Sequence, residues 1–164
     1  MGCAITTALG TITNDAKVKV GESIAIFGCG GVGLSLIQFA KLAGCYPIIG
    51  IDIHDNKLEH ATSLGATHTI NANAENFEQS ILKANDGAKF DICIENTGLP
   101  EIISSAYSLT TSENGRTILV GVMDKKDKLD IWTYPLHFNQ EIIGSSGGQC
   151  KPNIDIPKII KLIN

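Results

Sequence analysis

The chain has 164 residues, of which 43% are hydrophobic and 18% charged, the composition of a globular domain rather than of a disordered segment. The formal net charge is −4, and aspartates interrupt the lysines of the one lysine-rich stretch, 125–128, so we expect no nucleic-acid partner. Apolar runs stay well short of the roughly 18 residues of a membrane span, so we expect no membrane partner either.

The first twenty residues differ from the rest of the chain. Residues 3–16 are rich in Ala, Thr and Ile and predict a helix, but this helix precedes the first predicted strand instead of connecting two strands. We therefore expect three segments: a helix at a domain junction in 1–20, an α/β domain over 21–150, and the start of a further helix over 151–164.

From residue 23 onward, strand-like and helix-like segments alternate. The predicted strands lie at 23–27, 47–51, 69–70, 90–95, 115–120 and 141–145. The predicted helices lie at 32–43 and 56–64, around 77–84, after Pro100, and at 154–163. Such alternation forms parallel β-α-β units, so the expected fold class is α/β, a doubly wound parallel sheet in three layers, α/β/α. Within the helix at 32–43, Ser35, Gln38 and Lys41 form a polar stripe that is expected to face solvent.

A glycine-rich segment joins the first predicted strand to the first long helix. Residues 28–33, Gly-Cys-Gly-Gly-Val-Gly, match G-x-G-x-x-G inside a β-α-β unit of about thirty residues. Gly28 allows a tight turn, Gly30 lets a pyrophosphate approach the backbone, and Gly33 lets the helix pack close to the sheet. Gly31 stands at the helix start, where unpaired N–H groups attract phosphates. The pattern predicts a Rossmann-type dinucleotide site, and the alternative is a tight β-α turn with no ligand.

Asp52 completes this pattern. It follows Gly33 by nineteen residues and ends the second predicted strand. Its carboxylate would accept hydrogen bonds from the ribose hydroxyls of NAD and would repel the 2′-phosphate of NADP. The alternative for Asp52 is a turn or helix-capping acid, but Asp55 is the better placed cap for the helix at 56–64.

Five segments of the chain carry a resemblance to one family. They are GC-x-x-TT at 2–7, AKVKVGESIAIFGCGGVGLSLIQFAKLAGC at 16–45, IIGIDIHDNKLEHATSLGATHTIN at 48–71, FDICIENTG at 90–98 and GSSGG at 144–148. Together they resemble the zinc-dependent, medium-chain alcohol dehydrogenases over nearly the whole chain. The resemblance implies that 21–150 is the NAD-binding Rossmann domain of such an enzyme, and that the catalytic domain lies outside this chain.

The resemblance also assigns individual residues. Cys3 matches a ligand of the catalytic zinc, and Thr7 matches a residue that packs beside the nicotinamide. The other matches are Val32, a cofactor contact after the glycines; Lys57, a lysine near the adenosine ribose; and Val120 and Val122, whose backbone reaches the nicotinamide carboxamide. We assign no catalytic residue within this chain.

These assignments imply a function for the enzyme to which the domain belongs. Zinc would polarise the oxygen of an alcohol or aldehyde substrate, and a hydride would pass between the alcohol and the NAD that this domain holds. In this family the edge strand near 141–145 continues a sheet across a dimer, which implies a homodimer. Two alternatives stay open, a non-catalytic NAD(H)-sensing module and the zinc-free quinone-reductase branch. Cys3 argues against both, because neither needs a thiolate there.

The remaining polar and sulfur-containing residues have open roles. Glu95 and Asn96 end a predicted strand at the carboxyl edge, so a cofactor-side role and a helix-capping role are both open. Cys29 replaces the apolar residue that usually lies between the glycines. The five cysteines form no C-x-x-C pair, and three lie in or beside apolar strand segments, which indicates buried free thiols and a cytoplasmic location.

Overall fold

A six-stranded parallel sheet with helices on both faces is formed by the described residues, 2–163, of the computed structural model. Met1 and Asn164, the outer ends of the predicted segments 1–20 and 151–164, lie outside the described residues. The strands are β1 Ile24–Phe27, β2 Ile48–Asp52, β3 His68–Asn71, β4 Ile92–Glu95, β5 Arg116–Leu119 and β6 Glu141–Gly144. The helices are α1 Cys3–Gly10, α2 Gly31–Leu42, α3 Asp55–Leu64, α4 Phe77–Lys83, α5 Pro100–Leu109 and α6 Pro152–Ile163.

The strand order across the sheet is β3-β2-β1-β4-β5-β6, and every neighbouring pair is parallel. This order confirms the predicted doubly wound, three-layer fold. The order reverses between β1 and β4, and such a reversal leaves a crevice at the carboxyl ends of the strands, where ligands bind. The glycine-rich segment follows β1, and Glu95 ends β4, so both lie at this crevice.

The hydrophobic core occupies both faces of the sheet, so β1 is buried along its whole length. Ile24 and Ile26 belong to a cluster that includes side chains of α1, α2, α3 and α6. Ala25 and Phe27 belong to a second cluster, with side chains of α4 and α5. Successive strand residues point to opposite faces, so a strand covered on both sides is an unbroken apolar run, as the sequence of β1 is.

The helix predicted at 3–16 is present as α1 and a π-helical turn, Thr11–Asp15. A Cβ placed on Gly10 would lie 2.1 Å from the carbonyl oxygen of Gly148, in the 3-10 turn Gly147–Gln149 that follows β6. This close approach seats α1 beside the carboxyl end of β6. No helix of residues 2–163 combines the length and the apolar character needed to cross a membrane.

Two details of the sequence-based prediction are wrong. Ser35 is buried rather than solvent-facing, and its hydroxyl donates to the carbonyl oxygen of Gly31 at 2.8 Å. Because α1 and α3 as well as the sheet pack against α2, its polar stripe is reduced to Gln38 and Lys41. Asp55 does not cap α3 but is its first residue, and its carboxylate accepts a hydrogen bond from the Asn71 amide at 2.6 Å.

Candidate dinucleotide site

The glycine-rich loop between β1 and α2 has an open side and a tightly packed side. Gly28 has a φ of +93°, a conformation that side chains rarely adopt. A Cβ on Gly33 would lie 1.9 Å from the carbonyl oxygen of Gly28, so only glycine allows α2 to approach the strand this closely. In contrast, a Cβ on Gly30 or Gly31 would meet no atom within 4 Å among the described residues, so these positions face open space.

The start of α2 faces the same open space. Gly30 is its N-cap residue, and no side chain of the described residues caps this end. Backbone N–H groups in the first turn of a helix have no partner within the helix, and the helix dipole adds a partial positive charge there. The loop can therefore receive an anionic group such as a phosphate.

Asp52 ends β2 next to this loop and is only 8% exposed. One carboxylate oxygen, Oδ2, accepts a hydrogen bond from the backbone N–H of Cys29 at 2.9 Å. The other, Oδ1, accepts one from the N–H of His54 at 3.0 Å, and the Lys57 ammonium lies 3.5 Å from Oδ2. An ionised carboxylate has about four acceptor positions, so Asp52 keeps acceptor capacity for a further donor.

Asp52 is ionised at neutral pH. Burial alone would raise its pKa, but the N–H groups of Cys29 and His54 and the Lys57 ammonium outweigh burial and hold the pKa below the ordinary value. The site therefore presents a fixed negative charge beside the glycine loop, partly balanced by Lys57.

Two adjoining cavities meet at Asp52. The first, of about 330 Å³, is the more polar of the two, and we call it the polar cavity; it is lined by Gly28, Gly30, Gly31, Val32, Gly33, Asp52, Lys57, Asn96 and Thr97. The second, of about 210 Å³, is mainly apolar and is lined by Phe27, Gly28, Ile51, Asp52, Ile53, His54, Lys57, Ala72, Phe77, Thr97, Leu99 and Ile102. A polar cavity beside a helix start, joined to an apolar one across a carboxylate, suits a phosphate, a ribose and a flat base in that order.

The structure does not bring every predicted residue to these cavities. Thr7, Val120 and Val122 line neither cavity. The N–H of Val120 donates to the backbone carbonyl of Glu95 at 2.8 Å, and Val122 is 90% exposed, just beyond the end of β5. The carbonyl oxygen of Thr7 would lie 2.3 Å from a Cβ on Gly148, so Thr7 lies near the end of β6. These three residues lie along the same carboxyl edge, beyond the two cavities.

Cys3 is exposed at the first position of α1. The described residues contain no cluster of three or more His, Cys, Asp or Glu side chains that could hold a metal ion. A tetrahedral zinc site requires about four ligands, so the described residues do not form a zinc site on their own.

Glu95 and Asn96, whose roles the sequence left open, organise the loop opposite Gly28. Glu95 is fully buried, and its carboxylate accepts hydrogen bonds from the N–H and hydroxyl of Thr97 and from the N–H of Gly98. The Asn96 amide donates to the carbonyl oxygens of Phe27 and Gly28, at 3.1 and 3.3 Å. Neither side chain caps α5, which has no side-chain cap among the described residues.

The buried cysteines are neutral thiols. Cys29, Cys45 and Cys93 are buried, as predicted, and burial raises the pKa of each to about 12. At Cys29 the nearby Asp52 carboxylate contributes to this rise, after burial. A thiol that does not ionise at neutral pH is a poor nucleophile and a poor metal ligand, so these three residues serve as core side chains.

Comparison with known proteins supports the resemblance seen in the sequence. Residues 31–164 match the model of the zinc-binding dehydrogenase family. Alcohol dehydrogenase class-P of Arabidopsis thaliana is 34% identical over 165 residues, covering 98% of this chain and 43% of the relative. The chain thus spans less than half the length of this relative.

Solved structures agree with this result. Benzyl alcohol dehydrogenase from Acinetobacter calcoaceticus superposes with a TM-score of 0.92 at 31% identity, covering 99% of this chain and 44% of that one. A structure from Sinorhizobium meliloti 1021, described as that of a zinc-binding dehydrogenase bound to NADP, superposes with a TM-score of 0.80 at 26% identity, covering 87% of this chain and 42% of that one. With its doubly wound sheet, its glycine loop and Asp52 at the end of β2, the chain belongs to the zinc-binding dehydrogenase family of medium-chain alcohol dehydrogenases.

Proposed function

We propose that this chain is the NAD(H)-binding domain of a zinc-dependent alcohol dehydrogenase, which transfers a hydride between an alcohol and NAD. The observation that carries the proposal is the joint geometry of the glycine loop and Asp52. Gly30 and Gly31 face open space at the start of α2, and the Asp52 carboxylate lies beside them, linked to the loop through the N–H of Cys29. When bound, NAD would supply the hydride acceptor, while this chain would bind and orient it.

Within this proposal each site residue has a defined task. Gly28 and Gly33 shape the loop, and Gly30, Gly31 and Val32 line the space for the pyrophosphate. Asp52 accepts hydrogen bonds from the adenosine ribose, and Lys57 lies next to it. Thr7, Val120 and Val122 lie toward the nicotinamide, along the carboxyl edge of the sheet.

We propose NAD rather than NADP as the dinucleotide. Asp52 is a buried and ionised carboxylate, and a 2′-phosphate placed next to it would be repelled. Lys57, 3.5 Å from Asp52, offsets part of this repulsion. One structural relative is described as bound to NADP, and titration of this chain with both dinucleotides tests the preference.

The zinc ion, the substrate and the partner copy belong to a larger protein in this proposal. Cys3 would contribute one thiolate, and the other zinc ligands would come from outside the described residues. The substrate would be a small alcohol or aldehyde, and the location cytoplasmic. Segments 1–20 and 151–164 would connect the NAD-binding domain, 21–150, to a catalytic domain.

A homodimer is proposed through the edge strand β6. This strand ends the sheet, and an edge strand presents unpaired backbone groups for another chain. Just before β6, Trp132 and Tyr134 stack at 5.6 Å while remaining 70% and 57% exposed. An exposed aromatic pair and an edge strand that follows it closely in the sequence together suit a second copy of the chain.

Calorimetric titration of the chain with NADH and NADPH tests the proposed function. We expect NADH to bind and NADPH to bind at least tenfold more weakly. A tenfold difference corresponds to about 1.4 kcal/mol of binding free energy. ADP-ribose, which lacks the nicotinamide, should bind about as well as NADH, because the two cavities at Asp52 lie at the adenosine end. Absence of heat with all three compounds would contradict the proposal.

A further inference from the structure

The peptide unit between Gly28 and Cys29 is held by hydrogen bonds at both ends. Its carbonyl oxygen accepts a hydrogen bond from the Asn96 amide nitrogen, Nδ2, at 3.3 Å. Its N–H, on Cys29, donates to Oδ2 of Asp52 at 2.9 Å. One rigid peptide group therefore links the loop after β4 to the end of β2, across β1.

This peptide unit needs such external contacts. Gly28 has no side chain to limit its backbone rotation, so the peptide that follows it is free to reorient unless other groups hold it. Rotation of this peptide unit as a whole would turn the Cys29 N–H away from Asp52. The Gly28 carbonyl oxygen is packed tightly on one side, because a Cβ on Gly33 would lie only 1.9 Å away. Asn96 holds it from another side.

The orientation of the Asn96 amide follows from the same contacts. Nδ2 faces two acceptors, the carbonyl oxygens of Phe27 and Gly28, at 3.1 and 3.3 Å. Flipping the amide would place its oxygen against both carbonyl oxygens, which is unfavourable. In the orientation found, the amide oxygen Oδ1 is buried and has no hydrogen-bond partner within the described part of the chain.

An unpaired buried acceptor is unfavourable for stability. An apolar side chain of similar size would fill the same space without it. The contribution of Asn96 is thus its pair of hydrogen bonds, one to the end of β1 and one to the first residue of the glycine loop. Since Asn96 also lines the polar cavity with Asp52 and the glycines, those bonds act on the site itself.

We propose that Asn96 is a positioning residue for cofactor recognition: by holding the Gly28–Cys29 peptide, it orients the N–H that fixes the Asp52 carboxylate toward the ribose. This inference deepens the proposed function and rests on it. It assigns to Asn96 an effect on the discrimination between NAD and NADP that acts through Asp52.

The first test needs no ligand. Amide hydrogen exchange, followed by NMR, compares the wild type with Asn96→Leu, which removes both hydrogen bonds. We expect the Cys29 N–H to exchange at least tenfold faster in the variant, and the N–H of Ile94, in the core of β4, to keep its rate; tenfold corresponds to about 1.4 kcal/mol. Unchanged exchange at Cys29 would overturn the proposal.

The matched control is Asn85→Leu. The Asn85 amide also donates to two carbonyl oxygens, those of Ala88 and Lys89, at 3.2 and 3.0 Å, but in the loop after α4. This variant removes the same kind of contact away from the glycine loop. It should leave both Cys29 exchange and dinucleotide affinity unchanged, and a change in either equal to that of Asn96→Leu would overturn the proposal.

The second test measures dissociation constants for NADH and NADPH. In Asn96→Leu the constant for NADH should rise about tenfold and that for NADPH much less, because only NADH gains from a well-placed carboxylate; tenfold is about 1.4 kcal/mol. Asn96→Ser, whose hydroxyl donates one bond, should be intermediate and serves if the leucine variant does not fold. Equal weakening of both would mean a purely structural role and overturn the inference. If the wild type binds neither dinucleotide, the proposed function and the recognition role of Asn96 both fail, while Cys29 exchange still tests whether Asn96 holds the Gly28–Cys29 peptide.

Discussion

The carboxylate of Asp52 accepts a hydrogen bond from the backbone N–H of Cys29 at 2.9 Å, which ties the end of β2 to the glycine loop after β1. The charge proposed to recognise the ribose and the loop proposed to receive the phosphates are therefore held in one arrangement. A change in either is expected to affect the other.

Replacing Asp52 by Asn should reduce the discrimination between the two dinucleotides. The amide keeps a similar shape but loses the charge that would repel a 2′-phosphate and that strengthens hydrogen bonds to ribose hydroxyls. Hydrogen bonds to charged groups contribute about 1.5–3 kcal/mol, so NADH affinity should fall at least tenfold while NADPH affinity rises or stays constant. Calorimetry measures both constants. Asp127→Asn, an exposed aspartate in the loop after β5, is the control, and an unchanged NADH preference in Asp52→Asn would contradict the role.

Two glycines of the loop should respond differently to alanine. In Gly33→Ala the new methyl would lie 1.9 Å from the Gly28 carbonyl oxygen, so the free energy of unfolding should fall by about 1–3 kcal/mol. In Gly30→Ala no atom of the described residues lies within 4 Å of the new methyl, which instead enters the open space of the polar cavity. Urea unfolding and NADH titration separate the two effects: Gly30→Ala should retain stability and lose affinity. A stable Gly33→Ala would contradict the packing argument.

The free energy of unfolding should contain a contribution from Asp52 that disappears in acid. Although burial opposes ionisation, the N–H groups of Cys29 and His54 and the Lys57 ammonium hold the folded-state pKa below the ordinary value of about 3.9. A lowered carboxyl pKa stabilises the folded state above the unfolded pKa, and the stabilisation is lost as the pH falls through the folded pKa. Urea titrations should thus show that the difference in the free energy of unfolding between wild type and Asp52→Asn becomes smaller below about pH 4. A difference in the free energy of unfolding that grows in acid would have the opposite sign and would contradict the prediction.

Replacing Glu95 by Ala should destabilise the fold as well as the site. Glu95 is fully buried, and its carboxylate accepts the N–H groups of Thr97 and Gly98. Its removal leaves the buried N–H of Gly98 without a partner, at a cost of about 1–3 kcal/mol, and removes the contacts that hold Thr97. Thermal unfolding should show the loss. The comparison is Glu59→Ala on the exposed surface of α3, which should have no measurable effect.

The exposed aromatic cluster before β6 should hold the proposed dimer together. Trp132→Asp places a charge in that cluster, and it should convert a dimer into a monomer in light scattering coupled to gel filtration. Val20→Asp introduces the same charge at another exposed apolar side chain, 86% exposed, and should leave the assembly unchanged. A wild-type chain that is monomeric at high concentration would contradict the proposal.

Local patterns in the sequence were sufficient to predict the order of the strands and helices along the chain and the position of the glycine loop after β1. A strand buried on both faces is a short apolar run, and a helix on a sheet has an apolar stripe, so both can be recognised within about ten residues. The glycines at 28, 30 and 33 and the acid at 52 belong to a single β-α-β unit. These features predicted the fold class and the place of the candidate site.

The tertiary structure decided the relations between distant segments. The strand order places β1 beside β4, with Phe27 opposite Glu95 in the sheet, although the two residues are far apart in the sequence. Only this neighbourhood brings the Asn96 amide to the Gly28 carbonyl oxygen. In the same way, the burial of Ser35 depends on the packing of α1 and α3 around α2. A local pattern carries no information on such contacts, because they depend on which strands and helices become neighbours when the whole chain folds.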